Sequence, residues 1–510
     1  MKLNRKKSLA FAMLNVLTAA AVLAGCSSGS KSGAQNNTNP EQSAEKKDEK
    51  VPIEVMVAGF STTLPEDDFV KKTIDKDLGI DLKLTLTSTT DELVQKLNVR
   101  AAGGDLPDVI SFTAAQKSVF EEYVKKNLLL ELNPYEEKLA PLKSFISEDF
   151  LSRTAINGKY YAISLNTNPN LTTFWVRKDW LDKLNLAVPQ TLDELLEVSK
   201  AFTEQDPDGN GKKDTFGITG RLADLANFVN VQYGNYDGFY IKDGKMVNGL
   251  SQPEAKESIA YVQKMLASGS IDPEIASNKP ENAKDKAFQG KAGILLTDWT
   301  SVMKDAEKAK WQGANPNADF VMIDKLQGPK SDYMAAVGLS AIGGRMVISK
   351  KVAEDEVKLQ KILDLFNYAA QGKGADLVQF GVEGTHFTKE NGKVKLTDKA
   401  SEASYTWVYQ MSGRPEKEYL IAKFPAQAPY IEKNDQMKRL DIYSAYVTLP
   451  ADYNAADADR FKQEELLKFY LGKNKLDNYD KFLDQLNTTF KYQTYLDSGF
   501  QQLKDLGFAK

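Results

Sequence analysis

From Val51 onward the chain alternates short apolar strands with helices whose apolar residues recur every three or four positions, and this alternation restricts it to sheets covered by helices on both faces. Val51, Ile53, Val55 and Val57 alternate with Pro52, Glu54 and Met56 ahead of Gly59-Phe60, the pattern of a strand that ends in a turn. Thr90 is placed to cap a helix through Leu93, Val94 and Leu97 to Ala101, which Gly103-Gly104 stops, and Val109 to Phe112 is the next strand. The grammar recurs with strands at 173–176, 215–218 and 292–297, and with helices opened by capping boxes at Thr191 to Glu194 and Ser251 to Glu254. Further helical patterns fall near 354–370 and at Tyr479, Phe482, Leu483 and Leu486. The 510 residues exceed the roughly 300 that one continuous core carries, so two or three domains are expected. No fixed-period repeat is visible, which excludes a solenoid or propeller.

The first 25 residues stand apart from this pattern. Lys2, Arg5, Lys6 and Lys7 precede an apolar stretch from Leu9 to Leu23 that closes with Ala24-Gly25-Cys26. The stretch is shorter than the about 20 apolar residues of a membrane span. It resembles a bacterial lipoprotein signal, residues 1–25, whose cysteine becomes the lipidated first residue of the mature chain; an uncleaved apolar anchor is the alternative. Residues 26–50 have almost nothing to bury and read as a flexible tether. Cys26 is the only cysteine and His386 the only histidine, which excludes an internal disulfide and a Cys/His zinc cluster. Removing four basic and no acidic residues with the signal leaves 62 basic against 70 acidic, a net charge of −8. That balance lacks the concentrated basic face of a nucleic-acid binder.

The sharpest local motif is Asp206-Pro207-Asp208-Gly209-Asn210-Gly211-Lys212-Lys213-Asp214. Counted from Asp206, oxygen donors fall at positions 1, 3, 5 and 9, with the Lys212 carbonyl at position 7 and a glycine at position 6 where the chain must turn. Alternately spaced hard oxygens with three carboxylates suit Ca²⁺. Position 12 is Gly217 and not the usual bidentate Glu, so a weak site is expected, of the kind that suffices outside the cell. An ion-free Asx-rich turn is the alternative. In both cases the loop is structural.

Catalytic signatures are missing. There is no Gly-x-Ser-x-Gly, no His-Glu-x-x-His and no Gly-x-x-x-x-Gly-Lys-Ser/Thr, and none of the many acidic pairs is distinguished by its setting. His386, within Gly381 to Phe387, reads as a hydrogen-bonded loop histidine. The 24 Phe, 21 Tyr and 5 Trp, in contrast, supply flat faces with polar edges, and sugars need both ring faces and hydroxyl partners. Trp299, beside Asp298 at the end of the 292–297 strand, is the first cleft candidate, because ligands of α/β proteins sit outside the carboxyl ends of strands. Trp407 and Tyr409 follow, with a core strand over Tyr405 to Tyr409 as the competing reading. Trp175 and Trp180 read as core.

The signal, the opening strand, Gly104 to Asp108, Phe174-Trp175-Val176-Arg177-Lys178-Asp179-Trp180-Leu181, the Asp206 to Asp214 loop and Gly381 to Phe387 together resemble the large extracellular solute-binding lipoproteins of carbohydrate ABC importers, a family that includes maltose- and alginate-oligosaccharide-binding proteins. The resemblance implies an α/β, two-lobed periplasmic-binding-protein fold whose lobes close on a ligand in the cleft between them. Residues 51–165 and about 335–395 would form the N-terminal lobe, and about 166–334 with 396–510 the C-terminal lobe. It carries a structural Ca²⁺ onto Asp206, Asp208, Asn210, the Lys212 carbonyl and Asp214, although the alginate-binding relatives have an acidic residue where this chain has Thr215. Phe60, Asp108, Asp298, Trp299 and Trp407 are the implied ligand residues. The implied protein is monomeric and is no enzyme. It is lipid-anchored through Cys26 on the outer face of the cell membrane, captures an oligosaccharide and delivers it to the permease subunits of an importer. A lipid-anchored polysaccharide lyase or hydrolase, and a surface glycan adhesin, are the alternatives.

Overall fold

The computed structural model describes residues 50–60, 62–156, 158–165, 170–339 and 343–508. The signal at 1–25, Cys26 and the tether as far as residue 49 lie outside the described residues. No helix among those described is long and apolar enough to cross a membrane.

The first lobe is built on a five-stranded sheet in the order Ile80–Thr87, Val51–Ala58, Val109–Thr113, Gly344–Ile348, Ile163–Leu165. The first three strands are parallel, and Gly344–Ile348 runs antiparallel to both its neighbours. Ile53, Val55 and Val57 bury against Val70, Ile74, Ile362 and Phe366 on one face. Met56, Ala58 and Ile110 bury against Leu93, Leu97 and Phe120 on the other. Both faces are therefore covered, as the apolar run requires, and each large aliphatic side chain so buried contributes about 1.5–3 kcal/mol. The helix Thr90–Ala102 is capped one residue earlier than expected, by Thr89, whose hydroxyl accepts from the Glu92 amide at 3.1 Å.

The second lobe centres on a four-stranded sheet in the order Phe320–Met322, Thr173–Arg177, Ala292–Thr297, Phe216–Thr219. Its core holds Trp175, Trp180, Trp299 and Trp311, all essentially inaccessible to solvent. Helix Leu192–Glu204 starts as the sequence indicates: Thr191 accepts from the Glu194 amide at 3.1 Å, while the Glu194 carboxylate accepts from the Gln190 amide at 2.7 Å. Gly293 lets this helix lie on the sheet, because a Cβ there would stand 2.2 Å from the Phe202 ring and 2.6 Å from that of Trp180. The second expected box does not form. Gln252 precedes helix Pro253–Ala267 without a side-chain cap, and Glu254 is drawn instead to Lys242 at 2.8 Å and Lys330 at 3.3 Å. Helices Ala455–Tyr470, Tyr479–Thr489 and Tyr492–Asp505 pack an aromatic-rich cluster, with Phe239, Phe469, Tyr479 and Phe482 at its centre.

The described chain changes lobe three times: Leu165 packs on the first core and Leu171 in the second, Val337 packs on the second and Gly344 joins the first sheet, and Met411 lies in the first core while Leu420 packs on the second. Strands Ala335–Gly338 and Arg439–Ile442 pair in parallel beside these passages. The expected lobe boundaries at 335 and 395 are both too early. The chain re-enters the first lobe with Gly344–Ile348 and stays there through Met411, because Tyr405, Val408, Tyr409 and Met411 are buried in that lobe's core. Tyr405 donates its hydroxyl proton to Asp68 at 2.9 Å, and Tyr409 donates to the other oxygen of the same carboxylate. No strand forms at 405–409; Thr406–Tyr409 is a 3₁₀ turn.

His386 is buried, stacked on Phe69 with ring centroids 4.8 Å apart, and its Nδ1 accepts from the Val382 amide at 2.8 Å. Burial holds the imidazole below its ordinary pKa; Glu402 opposes that shift and Lys399 adds to it. The unfolded chain therefore takes a proton more readily than the folded one, so the stability conferred by the neutral ring is complete above about pH 6.5 and is lost as the pH falls through the lower folded value. In a one-histidine chain the C2–H proton resonance should titrate with a midpoint under about 6.5, and unfolding free energy should decline as the pH drops from 7 toward 5. A midpoint at or above the free-imidazole value would contradict this account.

Candidate ligand-binding site

The parallel strands Val51–Ala58 and Val109–Thr113 deliver their carboxyl ends to one side of the first lobe, beside the passages at Leu165, Gly343 and 412–416. A cavity of about 220 Å³ opens there, lined among others by Phe60, Trp407, Gln410, Arg414 and Glu416. Phe60, the second residue past the strand, has φ +43° and is 55% exposed. A bulky aromatic held in left-handed backbone costs of order 1 kcal/mol and is kept only where the surroundings dictate it. Its ring lies 6.5 Å from that of Trp407 at an interplanar angle of 20°. Trp407 is half-buried, fixed from behind by its neighbours Tyr405 and Tyr409 on Asp68. Arg414 donates to Glu416 and Gln410 and lies 3.5 Å over the Tyr419 ring. Here a near-parallel aromatic pair stands beside an amide, a guanidinium and a carboxylate.

The second lobe offers a cavity of about 320 Å³ lined by Asn170, Thr172, Asp224, Asn227, Tyr236 and the strand Ala335–Gly338. It shares Asn227 and Tyr236 with a larger cavity of about 740 Å³ between helices Leu222–Gln232, Pro253–Ala267 and Ala455–Tyr470.

Of the residues proposed from the sequence, the fold brings Phe60 and Trp407 together, buries Asp108 and Trp299, and ties Asp298 to its own turn. Asp108 precedes the Val109–Thr113 strand and so stands at its amino end, about 16 Å from the carboxyl end at roughly 3.3 Å per residue. It is buried, accepts from the Glu54 amide at 2.9 Å and pairs with Lys358 at 3.3 Å. Asp298 does stand at a strand end, but its carboxylate turns the chain, accepting from the Thr300 amide at 2.8 Å and the Ser301 hydroxyl at 3.3 Å. Trp299 is 0% exposed, packed edge-on to Phe424 at 5.9 Å, and cannot offer its ring to a ligand. Its indole N–H donates to Asn170 Oδ1 at 2.9 Å, so it positions a cavity-lining amide from behind. Trp175 and Trp180 are core, as read. Tyr409 is buried as well, its hydroxyl held by Asp68. Sequence reasoning missed Gln410, Arg414, Glu416, Asn170, Asp224, Asn227 and Tyr236. They sit on passages and on a helix flank with no period to flag them, and the Asn-rich run 166–170 was the one available signal.

In the Asp206 loop, Asp206 accepts from the amides of Gly209 and Asn210 at 3.1 Å and of Gly211 at 3.0 Å. The Asn210 amide donates to Asp208 at 2.7 Å and to Asp214 at 3.1 Å, so all four side chains converge. Partial burial, together with the Asp206 and Asp214 carboxylates, pushes the Asp208 carboxyl above its ordinary range, although the Asn210 backbone N–H, donating to it at 3.2 Å, works against this. Such crowding of like charges is what a divalent cation relieves, and the donor set fits one. Among the described residues, however, no three acidic, imidazole or thiol groups already stand as a cage. Position 12 could not carry the missing Glu, since a Cβ at Gly217 would stand 2.0 Å from the Ser199 hydroxyl. Nor is Thr215 free, because its hydroxyl donates to the Phe202 carbonyl at 2.7 Å.

Residues 67–363 match the family model described as bacterial extracellular solute-binding protein. The chain is 26% identical over 505 residues to the polygalacturonan/rhamnogalacturonan-binding protein YtcQ of Bacillus subtilis, covering 92% of this chain and 97% of that one. It is 27% identical over 365 residues to the fructooligosaccharide ABC transporter substrate-binding protein FusA of Streptococcus pneumoniae, covering 66% and 64%. An HMO-binding, ABC-transporter-associated solute-binding protein from Bifidobacterium longum infantis shares the fold, with a TM-score of 0.70 at 19% identity over 90% of this chain and 100% of the other.

Proposed function

The chain belongs to the bacterial extracellular solute-binding protein family, and from that membership we propose that it captures an oligosaccharide between its lobes and hands it to the membrane permease of an ABC importer. The observation that carries this reading is the exposed Phe60 ring held near-parallel to Trp407 at the strand ends, beside Gln410, Arg414 and Glu416. Pyranose C–H faces stack on such rings, and ring hydroxyls take the amide and charged groups as partners. Across the passages, Asn170, Asp224 and Asn227 offer further donors and acceptors. Closure of the lobes about the three passages would exclude water and trap the sugar, with no bond made or broken. YtcQ, a polygalacturonan/rhamnogalacturonan-binding protein, and FusA, a fructooligosaccharide-binding one, support the solute class. The family consists of binding proteins, which decides against the lyase or hydrolase alternative.

Calorimetric titration with a panel of purified oligosaccharides tests the assignment. Trp407→Ala is expected to weaken binding of the best sugar by about 1–3 kcal/mol, the range for truncating a moderate hot spot. Full affinity in that variant would remove the platform from the site.

Two attachments belong to the same reading. Ca²⁺ would be held by Asp206, Asp208, Asn210, the Lys212 carbonyl and Asp214, fastening the end of helix Leu192–Glu204 to the Phe216–Thr219 strand. An ion bound by the native state alone stabilises it by linkage, so EDTA should lower the melting temperature, Ca²⁺ should restore it, and Asp208→Ala should abolish the response. Equal melting with and without chelator, and no metal found by elemental analysis, would leave the loop an ion-free turn. Cys26 would carry the acyl groups that hold a monomeric receptor at the outer membrane face. With Cys26→Ser, cell fractionation should find the protein released, since residues 27–50 lack apolar area to replace those groups; unchanged retention would assign the anchor to the Leu9 to Leu23 stretch.

A further inference from the structure

The charged side chains that line the two cleft cavities and the 740 Å³ chamber are matched within the protein. Arg221, where the Phe216–Thr219 strand turns into helix Leu222–Gln232, donates twice to Asp224 at 2.7 Å. Lys462 pairs with Asp237 and with Asp459, each at 2.9 Å. Arg414 is held by Glu416 and Gln410. These three cations and the carboxylates of Asp224, Asp237, Asp459 and Glu416 are the only charged side chains that line the three cavities among the described residues. Residues 61, 166–169 and 340–342 carry no charged side chain. Every cation thus faces a carboxylate already, and one carboxylate is in surplus.

An acidic sugar entering such a site would exchange its hydration for a wall that holds no unpaired cation, and a charge removed from water without a counter-charge is strongly disfavoured. Hydroxyls face no such obstacle, because paired carboxylates and amides still accept and donate hydrogen bonds. Arg345, whose Nε and Nη1 are unpartnered, lies against the Phe120 ring at 5.3 Å and lines none of the three cavities.

The chamber itself, about 740 Å³ and open to solvent along the exposed Ala223, Ala276 and Leu467, is of ligand size, within the roughly 300–1,000 Å³ of small-molecule sites. It adjoins the cleft through Asn227 and Tyr236. Asn230 and Tyr470 give it polar walls, while Ala223 and Leu467 give it apolar ones. Mixed walls without free charge suit the alternating C–H and O–H surface of a neutral pyranose.

We propose that the imported solute is an uncharged oligosaccharide whose far end runs past Asn227 and Tyr236 into this second-lobe chamber. The proposal rests on the oligosaccharide-receptor reading above. It is tested by calorimetry of the purified protein with neutral malto-, xylo-, fructo- and galacto-oligosaccharides and with oligogalacturonates, each of two to six units, at low and at raised salt. One neutral series should bind with affinity rising at least tenfold from trimer to hexamer, and oligogalacturonates of equal length should bind at least a hundredfold more weakly. Ala276→Trp, at an exposed position on the chamber wall, should cost the hexamer at least tenfold and leave both the trimer and the melting temperature unchanged. Tightest binding by oligogalacturonates, weakened by salt, would overturn the proposal and leave the receptor reading standing. Affinity independent of length, or an Ala276→Trp variant with undiminished hexamer binding, would empty the chamber of its role. Binding of neither panel would overturn this proposal and the receptor reading together.

Discussion

The Asp68 carboxylate is the interaction on which the first lobe's Phe60–Trp407 pair depends. It caps helix Phe69–Leu78 by accepting from the Val70 and Lys71 amides at 3.0 Å, and its two oxygens also receive the hydroxyls of Tyr405 and Tyr409. A single buried acid thereby fixes a helix start and a turn more than three hundred residues away. Trp407 lies between the two tyrosines, so the geometry of its ring is inherited from this junction. Removing the carboxylate would leave two buried hydroxyls and two helix amides without partners, each costing about 1–3 kcal/mol, and would release the turn that presents the indole.

The second lobe is organised differently. Its tryptophans are core, and its contribution to the cleft comes from amides and paired charges at strand ends and on helix Leu222–Gln232. Asp272 is a comparable junction there: it accepts from Thr219, Asn278 and Lys286, joining the end of a strand to helix Pro280–Phe288. Burial alone would raise its carboxyl, but these donors outweigh it and hold the group below the ordinary range. The ring surface in the cleft therefore comes chiefly from the first lobe, and the second contributes mostly hydrogen-bonding groups. This division suits a cleft that must recognise both the faces and the edges of a sugar.

Local patterns made the architecture legible. The two-residue alternation at Val51–Val57 and the capped helix at Thr191 report buried faces directly, and the same residues fill the cores. Phe60 and Trp407, taken from strand ends and from the family resemblance, are two residues the fold does bring together. Asp108 and Trp299 misled for opposite reasons: Asp108 flanks a strand at its amino end, whereas Trp299 flanks one at its carboxyl end but folds back under the helix that follows. Direction along a strand can be read from sequence, but whether a flanking ring turns inward depends on partners such as Asn170 and Phe424, 129 and 125 positions away. The lobe boundary near 396 failed likewise, because Tyr405 and Tyr409 reveal their allegiance only through Asp68.

Four of the five tryptophans, Trp175, Trp180, Trp299 and Trp311, are shut away from water in the second lobe, whereas Trp407 alone sits half-open at the cleft. The molecule therefore carries its own optical reporter. On the proposed site, its intrinsic fluorescence divides into a blue-shifted background from rings shut away from water and one emitter that a stacked solute would touch, so occupancy would be written into the spectrum without any label.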